Sequence, residues 1–307
     1  MQKKLSILFV LVLLVSVSGC TTLESGNGVV IKEFTTDFNE VISGERADFY
    51  LKIKNIGSQT AENVFAEIYG LDFGWKEIES GMKCPNEKPI SLIAPNTLYG
   101  TEGEEKVCIW SYTASDVPAG MSTTYEPKAR VFYDYQTDAV IGLTLVSREE
   151  MIRLQNSGKA PQIDVLSKTS SPIDVAVNLQ TPIRVSGNEA SFILGITVTN
   201  VGEGVPCLKG RCKSSAGYPI EDPKTDYVTV NIDLCSVGLS QGDFVGPPDA
   251  SYCKKSVDVP LYRGSNTIQQ NFDITIGNIL TTQQKTIKIN IDYTYYVDKK
   301  ISVDVVG

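Results

Sequence analysis

Seven cysteines and no histidine define much of the chemistry open to this chain of 307 residues. A thiol can be acylated, oxidised to a disulfide, or ionised to hold a metal, and each use needs a different setting. Cys20 stands apart near the N-terminus, while Cys84, Cys108, Cys207, Cys212, Cys235 and Cys253 form an even set. An even set in an exported chain argues for disulfides. Cys84 and Cys108 are alone in the first half and are expected to pair with each other, and nearest-neighbour spacing joins Cys207 to Cys212 and Cys235 to Cys253. The competing reading of the last four is a zinc site, but their spacings lack the paired C-x₂-C knuckles such sites use.

The absence of histidine removes Ser-His-Asp and Cys-His nucleophile systems and every imidazole general base. A carboxylate pair could still support glycoside hydrolysis, but a chain with 36 acidic residues supplies such pairs by composition alone. Glu102-Gly103-Glu104-Glu105, and Asp222 near Asp226, could hold Ca²⁺ or be solvated acidic surface; neither has the Asp-x-Asp-x-Asn-Gly loop. No catalytic residue, metal or cofactor is therefore expected. A net charge of −8 argues against a nucleic-acid partner. Four aromatic residues are candidate partner-binding anchors, with core packing as the other reading: Phe73 and Trp75 near Cys84, and Phe244 and Tyr252 between Cys235 and Cys253. Trp110, two residues from Cys108, is expected to pack in the core beside that disulfide.

The N-terminus sets the compartment. Lys3 and Lys4 precede an apolar and small run from Leu5 to Val17, too short for a transmembrane helix, which needs about 20 apolar residues. This is the layout of a secretory signal, residues 1–19. Val17-Ser18-Gly19-Cys20 resembles a lipobox, and by that resemblance Cys20 becomes the lipid-bearing first residue of the mature chain; simple secretion is the alternative. Residues 20–28 then read as a small, polar tether reaching at most about 28 Å.

Strands must position these groups. Val228, Val230, Ile232 and Leu234 alternate with Thr229, Asn231 and Asp233, and Ile287, Ile289, Ile291, Tyr293 and Tyr295 alternate with Lys288, Asn290, Asp292 and Thr294. Period-2 alternation of this kind marks half-buried antiparallel strands. Similar runs occur at Phe49-Leu51-Ile53, Ile141-Leu143-Leu145, Phe192-Leu194-Ile196-Val198 and Ile301-Val303-Val305. One helix is expected, where Ser147 and Glu150 form a capping box and Gly158 and Pro161 close the segment.

The halves repeat. Asn55-Ile56-Gly57 returns as Asn200-Val201-Gly202, and Tyr133-Asp134-Tyr135-Gln136-Thr137-Asp138 returns as Tyr293-Thr294-Tyr295-Tyr296-Val297-Asp298, each read as part of a closing hairpin. The run from Gly44-Glu45 through Phe49, Leu51 and Ile53 to Asn55-Ile56-Gly57, followed by Ala61, Val64 and Ile68, resembles the CARDB-type, cell-adhesion-related immunoglobulin-like domains of bacterial and archaeal surface proteins. The resemblance implies β-sandwiches with stalk, adhesive or carbohydrate-associated roles and no catalytic residues to carry over. The expected architecture is all-β, two tandem immunoglobulin-like antiparallel sandwiches at 29–147 and 163–307 joined by a helical linker at 148–162. The expected protein is a non-enzymatic surface module anchored at one end to membrane lipid through Cys20, on the outer face of the cell membrane, with both sandwiches projecting outward. Its partner would be a surface protein or a glycan, met by the cysteine-pinned loops of the second domain or by a sheet edge; an accessory subunit of a secretion, pilus or transport complex is one alternative, and a carbohydrate-binding or carbohydrate-processing surface protein is the other.

Overall fold

Residues 128–145 alternate without a break, placing Val131, Tyr133, Tyr135, Thr137, Ala139, Ile141, Leu143 and Leu145 on one buried face. Gln136, Thr137 and Asp138 look like a turn in one dimension, yet no glycine or proline interrupts them and their polar groups simply follow the pleat. The segment is one straight strand of 18 residues, not a hairpin. At about 3.3 Å per residue it is roughly 60 Å long, far beyond the reach of one small sandwich. Its repeat counterpart, residues 283–300, is equally long and pairs with it antiparallel along the whole length.

The computed structural model describes residues 28–71, 73–78, 90–96, 98–159, 164–179, 183, 185–213, 223–237, 239–242, 253–261, 267–277, 279 and 282–307. In chain order the strands are β1 (Val29–Thr36), β2 (Glu40–Ile42), β3 (Arg46–Asn55), β4 (Ala61–Tyr69), β5 (Lys76–Glu77), β6 (Ile90–Leu92), β7 (Glu105–Thr113), β8 (Ser122–Tyr125) and β9 (Lys128–Leu145). After helix α1 (Arg148–Asn156) come β10 (Asp164–Lys168), β11 (Ile173–Leu179), β12 (Val185–Ser186), β13 (Glu189–Asn200), β14 (Val205–Cys207) and β15 (Tyr227–Asp233). The chain ends with β16 (Leu239–Gly242), β17 (Lys254–Pro260), β18 (Thr267–Ile276), β19 (Gln283–Lys300) and β20 (Val303–Val306). Ser147 caps α1, its Oγ accepting the Glu150 N–H at 3.3 Å as the capping box anticipates, while the Glu150 carboxylate binds Arg153. Among the described residues no helix is long and apolar enough to cross a membrane.

The class is all-β. A long sheet, β17-β15-β19-β9-β4-β6 with β10 beside β9 and β14 beside β19, forms one layer. Two further sheets, β1-β3-β7-β5 and β11-β13-β18-β16, supply the other side of the core over its two ends. A small sheet, β2-β20-β8, contains a parallel pair, β2 with β20. One apolar cluster runs through both halves, from Phe49, Leu51 and Trp110 to Leu194, Ile196 and Ile274.

This changes the domain picture. The halves are sandwiches side by side on a shared sheet, not beads joined by the 148–162 segment. The first half takes the end of β19 as a neighbour of β9, and β20, the last strand of the chain, pairs with β2 and β8. Assigning strands by chain position placed β9 wholly in 29–147 and β19 and β20 wholly in 163–307; hydrogen bonding across the boundary overrides that.

The repeat motifs meet at the waist. Asp134 faces its own counterpart Thr294, Tyr133 faces Tyr295, and Tyr135 faces Tyr293, so the two copies are related by an approximate two-fold through the Asp134–Thr294 pair. The four tyrosines are buried together with ring centroids 5.7 to 6.3 Å apart. Each copy also closes on itself in the same way. The Asn55 Nδ2 donates to the carbonyls of Gln59 and Leu92, its Oδ1 accepts the Gly57 N–H, and the Tyr135 hydroxyl accepts the Gln59 N–H. In the second copy Asn200 Nδ2 donates to the Gly204 carbonyl and its Oδ1 accepts the Gly202 N–H, while the Tyr295 hydroxyl accepts from Gly204 N–H and donates to Asn200. Residue 204 must be glycine here, since a Cβ would stand 2.1 Å from the Tyr296 carbonyl. Burial pushes the Tyr135 hydroxyl up to about 12, and Tyr293 and Tyr295 well above the ordinary range, so the phenols stay neutral.

Gly28, where the described chain begins, lies at this waist. Its carbonyl accepts the Ile56 N–H, and a Cβ there would touch the Tyr133 ring. A tether leaving from Gly28 therefore leaves from the middle of the long dimension and not from one end, contrary to an upright rod with its anchor at the base.

Candidate binding face

The side of the long sheet away from the core carries a grid of polar side chains. Pairing across β9, β19, β15 and β17 sets Gln136, Asp292, Thr229 and Asp258 in one row, and Asp138, Asn290, Asn231 and Ser256 in the next. The third row is Val140, Lys288, Asp233 and Lys254. The lower rows line an open cleft of about 700 Å³ to which both copies contribute. Asp138 receives Gln136 Nε2 and Asn290 Nδ2 on one oxygen, at 2.7 and 2.9 Å, and Gln59 Nε2 on the other at 3.0 Å. Asn231 Nδ2 donates to Asn290 at 3.2 Å and to Asp292 at 2.7 Å. These bonds lock rotamers and present oriented amides, carboxylates and ammonium groups.

At the two-fold pair, Asp134 is buried and accepts from Thr294 Oγ1 and, at 2.8 Å, from Asn63 Nδ2. Asn63 has a positive φ of 50° within an irregularity of the β4–β9 register, which turns its amide toward the carboxylate. Every carboxylate oxygen of Asp134 and Asp138 accepts a hydrogen bond. Burial, reinforced by the charges of Asp138 and Asp134 and opposed by Lys209 and Asn231, holds Asp292 above the ordinary carboxylate range. A folded pKa above the unfolded one means that ionising Asp292 opposes folding: its contribution is fully present below the unfolded value near pH 4 and is lost as pH rises through the folded value. Asp292→Asn is expected to raise the melting temperature at pH 7 and to leave it unchanged near pH 3, a difference that thermal scans at both pH values check.

The cysteine-pinned loop sits on this face as a cover. Cys207 and Cys212 are disulfide-bonded with Cα atoms 5.3 Å apart, both buried, and β14 pairs with β19. The disulfide packs with Phe132, Phe65 and Tyr296, and the Gly210 N–H reaches Thr294 Oγ1 at 2.7 Å. Next to it the Arg130 guanidinium lies 4.0 Å over the Tyr296 ring and makes two hydrogen bonds to Asp298, at 2.6 and 2.7 Å. The loop is thus packed onto the sheet, and its removal would uncover Phe132. Opening the short loop with Cys207→Ser and Cys212→Ser is expected to lower stability by about 2 kcal/mol on the chain-entropy model, to be measured by denaturant titration.

The other sequence-derived positions separate cleanly. Cys235 and Cys253 are disulfide-bonded, Cα atoms 4.8 Å apart, joining the end of β15 to the start of β17. Asp233, Cys235 and Cys253 cluster as metal ligands would, but the bonded sulfurs have no thiolate to offer, which removes the four-cysteine zinc reading. Cys108 is buried and disulfide-bonded, and Trp110 is buried two residues along the same strand. Trp75 is a core residue, edge-on to Phe49 and Tyr125 at 5.8 and 5.6 Å, so it cannot anchor a partner; Phe73 is 86% exposed. Glu102 and Glu105 pair with Lys54 and Lys52, and Glu104 accepts the Ile93 N–H, so that acidic run is a paired surface and not a cation cradle. Cys20, Cys84, Asp222, Phe244 and Tyr252 lie outside the described residues.

Sequence reasoning took Asn231, Asn290 and Asp292 as an ordinary solvated face. The available signal was two strands whose outward residues are almost all Asn, Asp or Thr. Four edge strands are poorly suited to strand addition: β17 begins Lys254-Lys255 and ends at Pro260, β1 has a register shift between Ile31 and Glu33, and β5 and β6 are two and three residues long; β11, at the edge of the second-half sheet, pairs with β13 over seven residues without a shift.

No protein family's sequence profile matches the chain, and no curated protein is similar to it in sequence. Among solved structures it is similar to the Enterococcus faecalis MSCRAMM ACE, described as binding its ligands by the collagen hug, at 8% identity over 92% of this chain and 96% of that one, with a TM-score of 0.11. It is also similar to the collagen adhesin CNA of S. aureus, at 9% identity over 92% and 93%, with a TM-score of 0.12. At TM-scores this low neither is a guide to fold or function.

Proposed function

We propose that the protein is an exported, lipid-anchored surface module that works by binding and not by catalysis, presenting the outer face of its long sheet to a polar surface protein or glycan. The observation that carries this reading is the cleft lined by Asp138, Asn231, Asn290, Lys288, Lys254 and Ser256, in which Asn290 donates to Asp138 and Asn231 donates to Asn290. Pre-organised amides and carboxylates suit hydroxyl-rich or polar partners because little side-chain entropy is lost on binding. The Val17-Ser18-Gly19-Cys20 motif supports the anchor.

Photo-crosslinking residues placed at Ser256 and Lys288 in intact cells, with Ile193 on the opposite layer as control, test it. Adducts are expected from the cleft positions and not from Ile193, and Asn231→Ala with Asn290→Ala is expected to weaken capture by about tenfold or more. Equal labelling from Ile193, or none from the cleft, would overturn the placement. A single stoichiometric membrane protein among the adducts would identify an accessory subunit of a complex, whereas labelled polysaccharide would identify a glycan ligand.

A further inference from the structure

The turn that joins β6 to β7 carries two large apolar residues in open solvent. Leu98 is 90% exposed and Tyr99 82% exposed. They are held there by the fold: Asn96 and Thr101 exchange backbone hydrogen bonds of 2.9 and 3.0 Å, and Asn96 Oδ1 accepts the Leu98 and Tyr99 N–H groups at 3.0 and 3.3 Å. A built turn that displays Leu-Tyr outward is a different object from a scattered exposed side chain.

Its position suggests what covers it. The base of the hairpin is bonded to the waist, since Glu104 N–H donates to Ile93 O and Asn55 N–H donates to Glu104 O, while the neighbouring Ile56 N–H donates to Gly28 O. Gly103 is packed so closely there that a Cβ would stand 1.8 Å from the Asn55 carbonyl, which fixes the hairpin to the waist. Thus the turn and the exit of the tether stand on the same part of the molecule, a few residues of hairpin apart. Cys20 lies eight residues before Gly28, at most about 28 Å away. Two of the three acids flanking the turn are ion-paired, Glu102 with Lys54 and Glu105 with Lys52, and the Glu104 carboxylate accepts the Ile93 N–H, so most of the charge of that run is offset. In the sheet order β17-β15-β19-β9-β4-β6 the turn is at one edge and the polar cleft is toward the other, leaving the cleft accessible.

We propose that the Leu98–Tyr99 turn is a second membrane contact, seated in the interfacial layer of the bilayer to which Cys20 is anchored, so that the protein lies with its long strands along the membrane. A Tyr ring beside an aliphatic side chain suits that layer, where one end of the ring meets headgroups and the other acyl chains. A protein-borne apolar contact adds to the lipid on Cys20 and fixes the orientation of the chain on the bilayer. The proposal rests on the anchor reading above and is separable from it.

The test uses the full processed chain in vesicles of phosphatidylcholine and phosphatidylglycerol, some with brominated acyl chains that quench tryptophan on contact. Native Trp75 and Trp110 are buried and set a constant background. Leu98→Trp is expected to be quenched several-fold more strongly than Phe73→Trp, which places the probe at an exposed site at the other end of β4. If the parent floats with vesicles and Leu98→Trp is quenched no more than Phe73→Trp, the second contact is wrong and the anchor stands. If Cys20→Ser floats as well as the parent, the anchor reading is wrong, and the quenching of Leu98→Trp still decides the turn.

Discussion

Cutting the chain just before α1, to give residues 20–147 and 148–307 as separate polypeptides, is expected to yield no independently folded first half. That fragment would keep β1 to β9 but would expose the edge of β9 that β19 covers over 18 residues, and would lose β20 from between β2 and β8. Val131, Tyr133 and Tyr135 would lose partners in the common core, among them Val297, Tyr293 and Tyr295. An unpaired strand of this length is also an aggregation surface. Two independent domains predict the opposite, two soluble fragments with the melting behaviour of the parent. Calorimetry of the intact protein offers the complementary reading: a single transition, with calorimetric and van't Hoff enthalpies in agreement, is expected for one cooperative unit. Two resolved transitions would restore the bead picture.

The second large effect is expected at the asparagines of the repeated turns. Asn55 is fully buried and makes three hydrogen bonds, to the carbonyls of Gln59 and Leu92 and from the N–H of Gly57. Asn55→Ala leaves those backbone groups without partners inside the protein, and at roughly 1 kcal/mol or more for each orphaned group the loss is about 3 kcal/mol. For a unit of this size that corresponds to a fall in Tm of about 6 °C. Asn200→Ala removes the equivalent set in the second copy, where Tyr295 also donates to it, and a loss of similar size is expected. Thermal melts of the two variants check both values. If the two-fold relation is as tight as the hydrogen bonding indicates, both variants should also speed hydrogen exchange across the waist of both halves, which a surface substitution should not do.

The waist connects these results to function. It is where the repeat motifs interlock, where Gly28 bonds Ile56, and where Asp138 of one copy accepts from Asn290 of the other. A binding face assembled from both copies exists only when β9 and β19 are in register, so fold integrity and the cleft are expected to fail together.

Much of this molecule is readable from local sequence. The strand alternation at Phe49-Leu51-Ile53, Val228 to Ile232 and Ile287 to Tyr295, the capped helix after Ser147, the Asn-x-Gly turns and the pairings Cys207–Cys212 and Cys235–Cys253 all depend on residues close together in the chain, where pleat periodicity, turn chemistry and short loops act directly. The repeat itself was visible as a pattern of Asn, Gly and Tyr. What only the tertiary structure decided is how the copies combine: that Tyr133 faces Tyr295 across 162 residues, that β20 returns to the first half, that Trp75 is core while Leu98 and Tyr99 are surface, and that the Cys207–Cys212 loop covers Phe132. Those outcomes are set by which strand edges and apolar faces find each other over long separations, and a side chain's alternation along its own strand says which face it is on but not what lies against that face.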